Sequence, residues 1–252
     1  MGEKILYTNK LCKTFSNGGV QQHILKNLDV EIYEGDFTVI MGSSGAGKST
    51  LLYALSGMDK PTLGEIYFSG EEISRYSDDK LAIFRRKNCG FVFQQVYLLD
   101  KMSLMDNVLA SGLLVNSDKK ELLKRARELF EKVNIPELTQ TKFSSQVSGG
   151  EAQRAGIVRA LINKPKVVFA DEPTGALNSN NSGAVLEVLS NFNKEGQSIV
   201  MVTHDIKSAL RGNRIIYLKD GTVCGECELG QYQGEEFGRR AKLDAFLKEM
   251  GW

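Results

Sequence analysis

An unbroken apolar run, Phe37-Thr38-Val39-Ile40-Met41, leads directly into Gly42-Ser43-Ser44-Gly45-Ala46-Gly47-Lys48-Ser49-Thr50. The spacing Gly-x-x-x-x-Gly-Lys-Ser is that of a phosphate-binding loop, which requires a buried strand before it and a helix after it. Both flanks comply. Phe37–Met41 has strand composition, and Ser49–Leu55 has helical propensity that Gly57 stops. Glycines let backbone N–H groups curl around phosphate oxygens, and the helix N-terminus adds a positive dipole end. In such a loop Lys48 faces the β- and γ-phosphates and Ser49 offers its hydroxyl to Mg²⁺. A flexible Gly/Ser linker would explain neither the strand nor the Lys-Ser pair.

Phosphate chemistry of this kind needs a second metal anchor on another strand. Val167-Val168-Phe169-Ala170 is apolar and ends in Asp171-Glu172. Asp171 is the expected metal ligand, and Glu172 is placed to accept a proton from an attacking water. Read alone, the acidic pair could equally cap the following helix.

The flanking segments set the fold class. Ile5–Leu11 and Ile24–Tyr33 read as strands, with turns at Gly18-Gly19 and Glu34-Gly35, and Gly90–Phe93 is a further strand. In Asp118–Val133, Leu122, Leu123, Ala126, Leu129, Phe130 and Val133 recur at helical spacing. Beyond Pro165 the expectation is strand 167–170, helix 182–192, strand 198–203, helix 206–211 and strand 214–218. Leu243, Phe246, Leu247 and Met250 mark one face of a terminal helix. Strands alternating with helices predict an α/β core with a largely parallel sheet.

The 32 basic and 31 acidic residues leave a net charge of +1, which disfavours broad nucleic-acid binding. No run approaches the roughly 20 apolar residues of a membrane span, and the start at Met1 does not read as a signal peptide. Cys224-x-x-Cys227 lies beside Gly221 and Gly225, while His23 and His204 are the only histidines. Reduced thiols near a turn are the expectation, with a zinc site as the alternative.

Val147-Ser148-Gly149-Gly150-Glu151-Ala152-Gln153-Arg154 resembles the signature motif of ABC ATPases, usually written Leu-Ser-Gly-Gly-Gln. The order of phosphate loop, signature and Asp-Glu strand is that family's order, and the resemblance covers nearly the whole chain. It implies a P-loop NTPase core of ABC ATPase type (1–95 and 165–230), an N-terminal antiparallel β region, an inserted helical subdomain (96–164) and a C-terminal extension (231–252). By the same resemblance, ATP and Mg²⁺ are the cofactors, with Ser49, Gln94 and Asp171 near the metal. Residues 42–50 hold phosphates and Phe15 stacks on adenine, unless Phe15 is simply core. Gln94 matches the Q-loop glutamine, His204 matches the switch histidine at the γ-phosphate, and Gly175–Asn178 sits where the D-loop belongs. The resemblance thus implies Glu172, His204 and Gln94 as the catalytic group.

The chain departs from the pattern at Glu151, where glutamine is commoner, and at Asn178, where aspartate is. Ser148-x-x-Glu151 still spells a capping box, so helix geometry is expected to survive.

In the family, Ser148, Gly149, Gly150 and Glu151 act on ATP held by the opposite subunit. One copy carries one of each motif, so a two-fold dimer completes two sites. Val96-Tyr97-Leu98-Leu99 and Met102-x-Leu104-Met105 then belong to the surface that receives a permease helix, or else to core. Phe93–Leu99 and Ala170–Asn178 resemble subunits paired with lipoprotein-releasing, macrolide-exporting and bacitracin- or lantibiotic-resistance permeases. The tail ending Met250-Gly251-Trp252 looks most like the antimicrobial-peptide branch. A bacterial cell-membrane location on the cytoplasmic side, through a permease, is implied. Two rival readings stand: a non-transport relative acting in DNA repair, chromosome structure or ribosome binding, and a nucleotide-binding adaptor without turnover.

Overall fold

The computed structural model describes residues 2–234 and 237–252; Met1, Glu235 and Glu236 lie outside the described residues. In chain order the strands begin β1 (Lys4–Asn17), β2 (Val20–Leu28), β3 (Glu31–Tyr33), β4 (Phe37–Met41), β5 (Leu63–Phe68) and β6 (Glu71–Glu72). They continue with β7 (Cys89–Phe93), β8 (Val167–Asp171), β9 (Ser198–Val202), β10 (Arg214–Lys219) and β11 (Thr222–Glu228). The helices are α1 (Lys48–Leu55), α2 (Asp78–Asn88), α3 (Leu104–Gly112), α4 (Lys119–Lys132) and α5 (Glu137–Gln140). After them come α6 (Gly149–Leu161), α7 (Ser179–Lys194), α8 (Ile206–Ala209) and α9 (Phe237–Glu249). The chain is mixed α/β and divides into two units, 1–82 with 196–252, and 83–195.

In the first unit, β10, β4 and β9 run parallel, with β11 antiparallel on β10. Every residue of β4 and β9 is buried, as strands covered on both faces must be. The N-terminal strands form the expected antiparallel sheet, in which β1 pairs with β2, β3 and β5, and β5 with β6.

The segment 24–33 is not the single strand its composition predicts. It breaks at Asp29-Val30 because Asn27 takes a left-handed φ of 50° and the Asp29 carboxylate accepts the Lys10 N–H at 2.7 Å. The Thr8 hydroxyl fills the gap, accepting from Val30 N at 2.9 Å and donating to Leu28 O at 2.8 Å. Cys224 and Cys227 are free thiols. They lie within β11 rather than at its turn, with Cys224 exposed and Cys227 buried on the opposite side of the pleat. Burial pushes the Cys227 thiol pKa up.

In the second unit, β7 and β8 are parallel neighbours and α3–α6 follow β7. α4 is the amphipathic helix read from periodicity: Leu122, Ala126, Leu129 and Phe130 are buried, and the Asp118 side chain caps it through Lys120 N and Glu121 N. Helix α2 and the β5–β6 hairpin are additions to the expected elements. Only Leu81 and Phe84 of α2 are buried, too few to show a period. Among the described residues no helix is long and apolar enough to cross a membrane.

Candidate functional site

In the first unit, β4 delivers the chain into the loop 42–47, and α1 starts at Lys48. Gly42 has φ 151°, and a Cβ there would come within 2.0 Å of the Leu218 carbonyl oxygen of β10. Gly47 is the N-cap of α1 in the left-handed region at φ 98°. The Lys48 ammonium, 9% exposed, donates to the carbonyls of Gly42 and Ser43 at 2.8 Å each. It spans the loop that its neighbours' N–H groups line. Ser43, Ser44 and Gly45 are exposed at the tip, Ala46 is buried, and Ser49 and Thr50 are half-buried on the first turn.

His204 leaves the same sheet edge. β9 is in parallel register with β4, Ile40 opposite Val202, so both strands end their C-terminal loops side by side. The backbone on either side of His204 is fixed: Thr203 Oγ1 accepts from Asp205 N at 3.0 Å, and Asp205 caps α8 through Ser208 N at 2.8 Å. The imidazole itself is exposed.

Phe15 is not core. Its ring is 45% exposed on β1, with the Lys13 ammonium 4.9 Å from the centroid. Lys13 is held in turn by Asp59 at 2.5 Å and Lys60 O at 2.7 Å.

In the second unit, Phe93 lies opposite Asp171 in the β7–β8 register, so Gln94 and the Asp171-Glu172 pair emerge from one edge. Glu172 adopts a left-handed φ of 47°, a strained backbone for glutamate of the sort that gathers at reactive sites. The turn is closed by Gly175 N donating to Glu172 O at 3.0 Å. A Cβ on Gly175 would fall 2.9 Å from Gln94 Nε2, so the Gln94 side chain rests against the Gly175 backbone. The acidic pair does not cap α7. Asn178 does, accepting from Asn181 N at 3.0 Å, a contact worth about 1 kcal/mol that asparagine supplies as well as aspartate.

The signature opens α6. Ser148 is its N-cap: the Oγ accepts from Glu151 N at 3.2 Å, and the Glu151 carboxylate accepts from Ser148 N and Ser148 Oγ at 2.8 Å each. The capping box read in the sequence is present. Gly149 and Gly150 lie against α7 and the turn before it. A Cβ on Gly150 would meet Asn181 Oδ1 at 2.6 Å.

The Ser148 amide, and after it the Ser148 hydroxyl, holds the Glu151 carboxyl below its ordinary pKa, with partial burial opposing. A depressed carboxylate stabilises the fold above its unfolded pKa, and that contribution is lost as pH falls through the folded value. Glu151→Gln is therefore expected to flatten part of the stability loss below about pH 4, while shifting Tm at neutral pH by only a few degrees. Thermal melts from pH 3 to 7 check this. A Tm about 10 °C lower at pH 7 would mean that the carboxylate charge, not the cap geometry, holds α6.

Sequence spacing missed how α6 is tied to the loop after Gln94. Gln153 Nε2 donates to Phe93 O at 2.9 Å, and Arg159 donates to Val96 O and Tyr97 O at 2.6 Å each. Gly156 lies between them, facing Val96. The i, i+3, i+6 spacing was the available signal, but nothing in the sequence says what that face touches. Asn107, 4% exposed, fixes the other end of the loop through Leu99 N, Leu99 O, Met102 O and Ser103 O. Tyr97 and Leu99 remain 61% and 60% exposed, whereas Leu98 and Met102 are half-buried.

A family profile described as ABC transporter matches residues 25–175, more than half of the chain. The chain belongs to the ABC transporter family. Its ABC domain is an ATPase. An uncharacterised ABC transporter ATP-binding protein of Methanocaldococcus jannaschii is 43% identical over 211 residues, covering 84% of this chain and 94% of that protein. The macrolide export ATP-binding/permease protein MacB of Wolinella succinogenes is 38% identical over 223 residues, 88% of this chain. The chain spans only 34% of MacB's length. Among solved structures, the ATP-binding cassette MJ0796, a post-hydrolysis dimer bound to ADP and Pi, superposes with a TM-score of 0.82. It is 38% identical and covers 90% of this chain and 100% of its own. The ABC ATPase fold, the ATPase activity and the role in transport read from the motifs agree with these likenesses.

Proposed function

We propose that this ABC ATPase works as a homodimer on the cytoplasmic face of a bacterial membrane, driving a separate permease. The carrying observation is the pairing, in one chain, of a single phosphate loop with a single signature helix whose N-cap is fully built. Residues 42–50 hold the ATP phosphates, Phe15 stacks on adenine, and Ser148, Gly149, Gly150 and Glu151 act on the nucleotide of the opposite subunit. The dimeric MJ0796 cassette supports this arrangement.

Glu172 accepts the proton of the attacking water, His204 donates to the γ-phosphate, and Gln94 orients the water. Lys48 and the loop N–H groups stabilise charge on the phosphates. The Ser49 hydroxyl, the Gln94 amide oxygen and the Asp171 carboxylate are hard oxygen donors, a set that fits Mg²⁺ and not a thiolate-seeking metal. When bound, Mg²⁺ supplies charge neutralisation on the phosphate oxygens. With Glu172 and His204 both present, turnover is favoured over an adaptor role.

The permease contact is the Tyr97–Met102 loop. Its backbone is fixed by Arg159 and Asn107 while Tyr97 and Leu99 stay exposed. Beside it, Met102, Leu109, Leu113, Leu122 and Leu123 line a groove of about 470 Å³. An amphipathic helix inserting apolar anchors fits such a surface. Because Leu99 is exposed, Leu99→Asp is expected to leave folding and soluble ATP binding unchanged. It should abolish stimulation by the co-expressed permease in membrane vesicles. Retained stimulation would remove the loop from the interface.

For cargo we favour cell-wall-active antimicrobial peptides, on the resemblance of the tail ending Met250-Gly251-Trp252; Phe93–Leu99 and Ala170–Asn178 resemble the wider group alone. The MacB likeness keeps macrolide-type or lipoprotein export as the second reading. Deleting the gene and measuring growth against bacitracin and lantibiotics tests the choice. Unchanged susceptibility with the permease expressed would overturn the peptide assignment.

A further inference from the structure

The hairpin β10–β11 touches the phosphate loop at two points. The Leu218 carbonyl stands where a Cβ on Gly42 would be, 2.0 Å away, and Gly221 N donates to Ala46 O at 3.2 Å. The Gly221 carbonyl in turn accepts from Lys26 N at 2.9 Å, so the hairpin tip is gripped from both sides. The pairing of β10 with β11 slips between Tyr217 and Leu218: Tyr217 lies opposite Gly225, but Leu218 lies opposite Val223. Cys224 is the extra residue of a bulge, a device that re-aims a strand and is common beside functional sites. Here it falls one peptide before the carbonyl that meets Gly42.

Helix α9 is seated on the outside of that bulge. Phe246 and Trp252 set their rings edge-on against Tyr217, at centroid distances of 6.4 and 6.2 Å. A Cβ on Gly225 would stand 2.8 Å from Met250 Sδ, so the helix end packs directly on the bulged strand. Arg239 anchors the other end, donating to the carbonyls of Leu210, Gly212, Leu229, Gly230 and Gln231 at 2.6–3.3 Å. Leu243 and Leu247 are buried between these anchors.

We infer that α9 and Trp252 are a positioning element for the phosphate loop: by holding Tyr217 and Gly225 they fix the bulged hairpin against which Gly42 and Ala46 rest. Met250 and Trp252 act through the hairpin and touch no nucleotide. The inference rests on the proposed role of residues 42–50 in holding phosphates.

Trp252 is the chain's one tryptophan, so its emission reports on this contact alone. The experiment titrates the full chain with ADP at a concentration where light scattering gives a monomer. Trp252 emission is followed, and affinity is measured independently by equilibrium dialysis. A saturable change in emission with the dialysis midpoint is expected. Met250→Ala/Trp252→Ala is expected to raise the ADP Kd about fivefold, and Trp252→Phe, which keeps an edge-on ring, to restore it. If the double variant does not fold, Trp252→Ala alone is read, since that ring is 46% exposed. Flat emission at saturating ADP, or an unchanged Kd with only a lower Tm, overturns the inference. Lys48→Ala separates it from its premise: if that variant binds ADP normally, the phosphate-loop reading itself has failed.

Discussion

Replacing Glu172 by glutamine is expected to slow ATP hydrolysis by about 10²–10⁴-fold while leaving ATP affinity near its original value. The carboxylate projects from the end of β8, where Asp171 completes the strand and Glu172 turns into a left-handed conformation. The Gly175 N–H to Glu172 O bond holds that turn through the backbone, which glutamine shares. The substitution therefore keeps the backbone turn and removes proton-accepting capacity. Single-turnover hydrolysis beside equilibrium ATP binding separates the two effects. Turnover within a few-fold of the original would take Glu172 out of the general-base role.

Lys48→Ala is expected to fail differently, at binding. Charge-assisted hydrogen bonds are worth about 1.5–3 kcal/mol, so losing the ammonium should weaken ATP binding by roughly ten- to a hundred-fold. The same change leaves the carbonyls of Gly42 and Ser43 without the donor that bridges them, so the loop should also loosen. A melt without nucleotide reads the second effect and calorimetry with ATP the first. Unchanged affinity and unchanged turnover together would contradict the phosphate-site reading.

The parts of this molecule legible in its sequence are those specified by residues a few positions apart. The phosphate loop is one: an apolar strand, three glycines and a Lys-Ser pair fix its geometry within about a dozen residues. The signature capping box is another, since Ser148 and Glu151 satisfy each other across three positions. Helix α4 announced itself by period. What escaped depends on distant partners. The break between β2 and β3 is made by Thr8 and Lys10, about twenty residues upstream. The face of α6 that grips the loop after Gln94 reaches back about sixty residues. The exposure of Phe15 was beyond local pattern too, because an aromatic in a strand reads alike whether its face is buried or open. The seating of α9 was half legible. Periodicity gave the buried stripe of Leu243 and Leu247, but not the bulged hairpin beneath it.

In the proposed cycle two copies of this chain close around ATP, each completing the other's site. Light scattering of Glu172→Gln with and without ATP tests it most directly, because this variant should trap the closed state. The mass of two chains is expected with ATP, a return to one chain when ADP replaces it, and no association when Ser148→Arg is added. A single-chain mass at saturating ATP, with nucleotide shown to be bound, would contradict it.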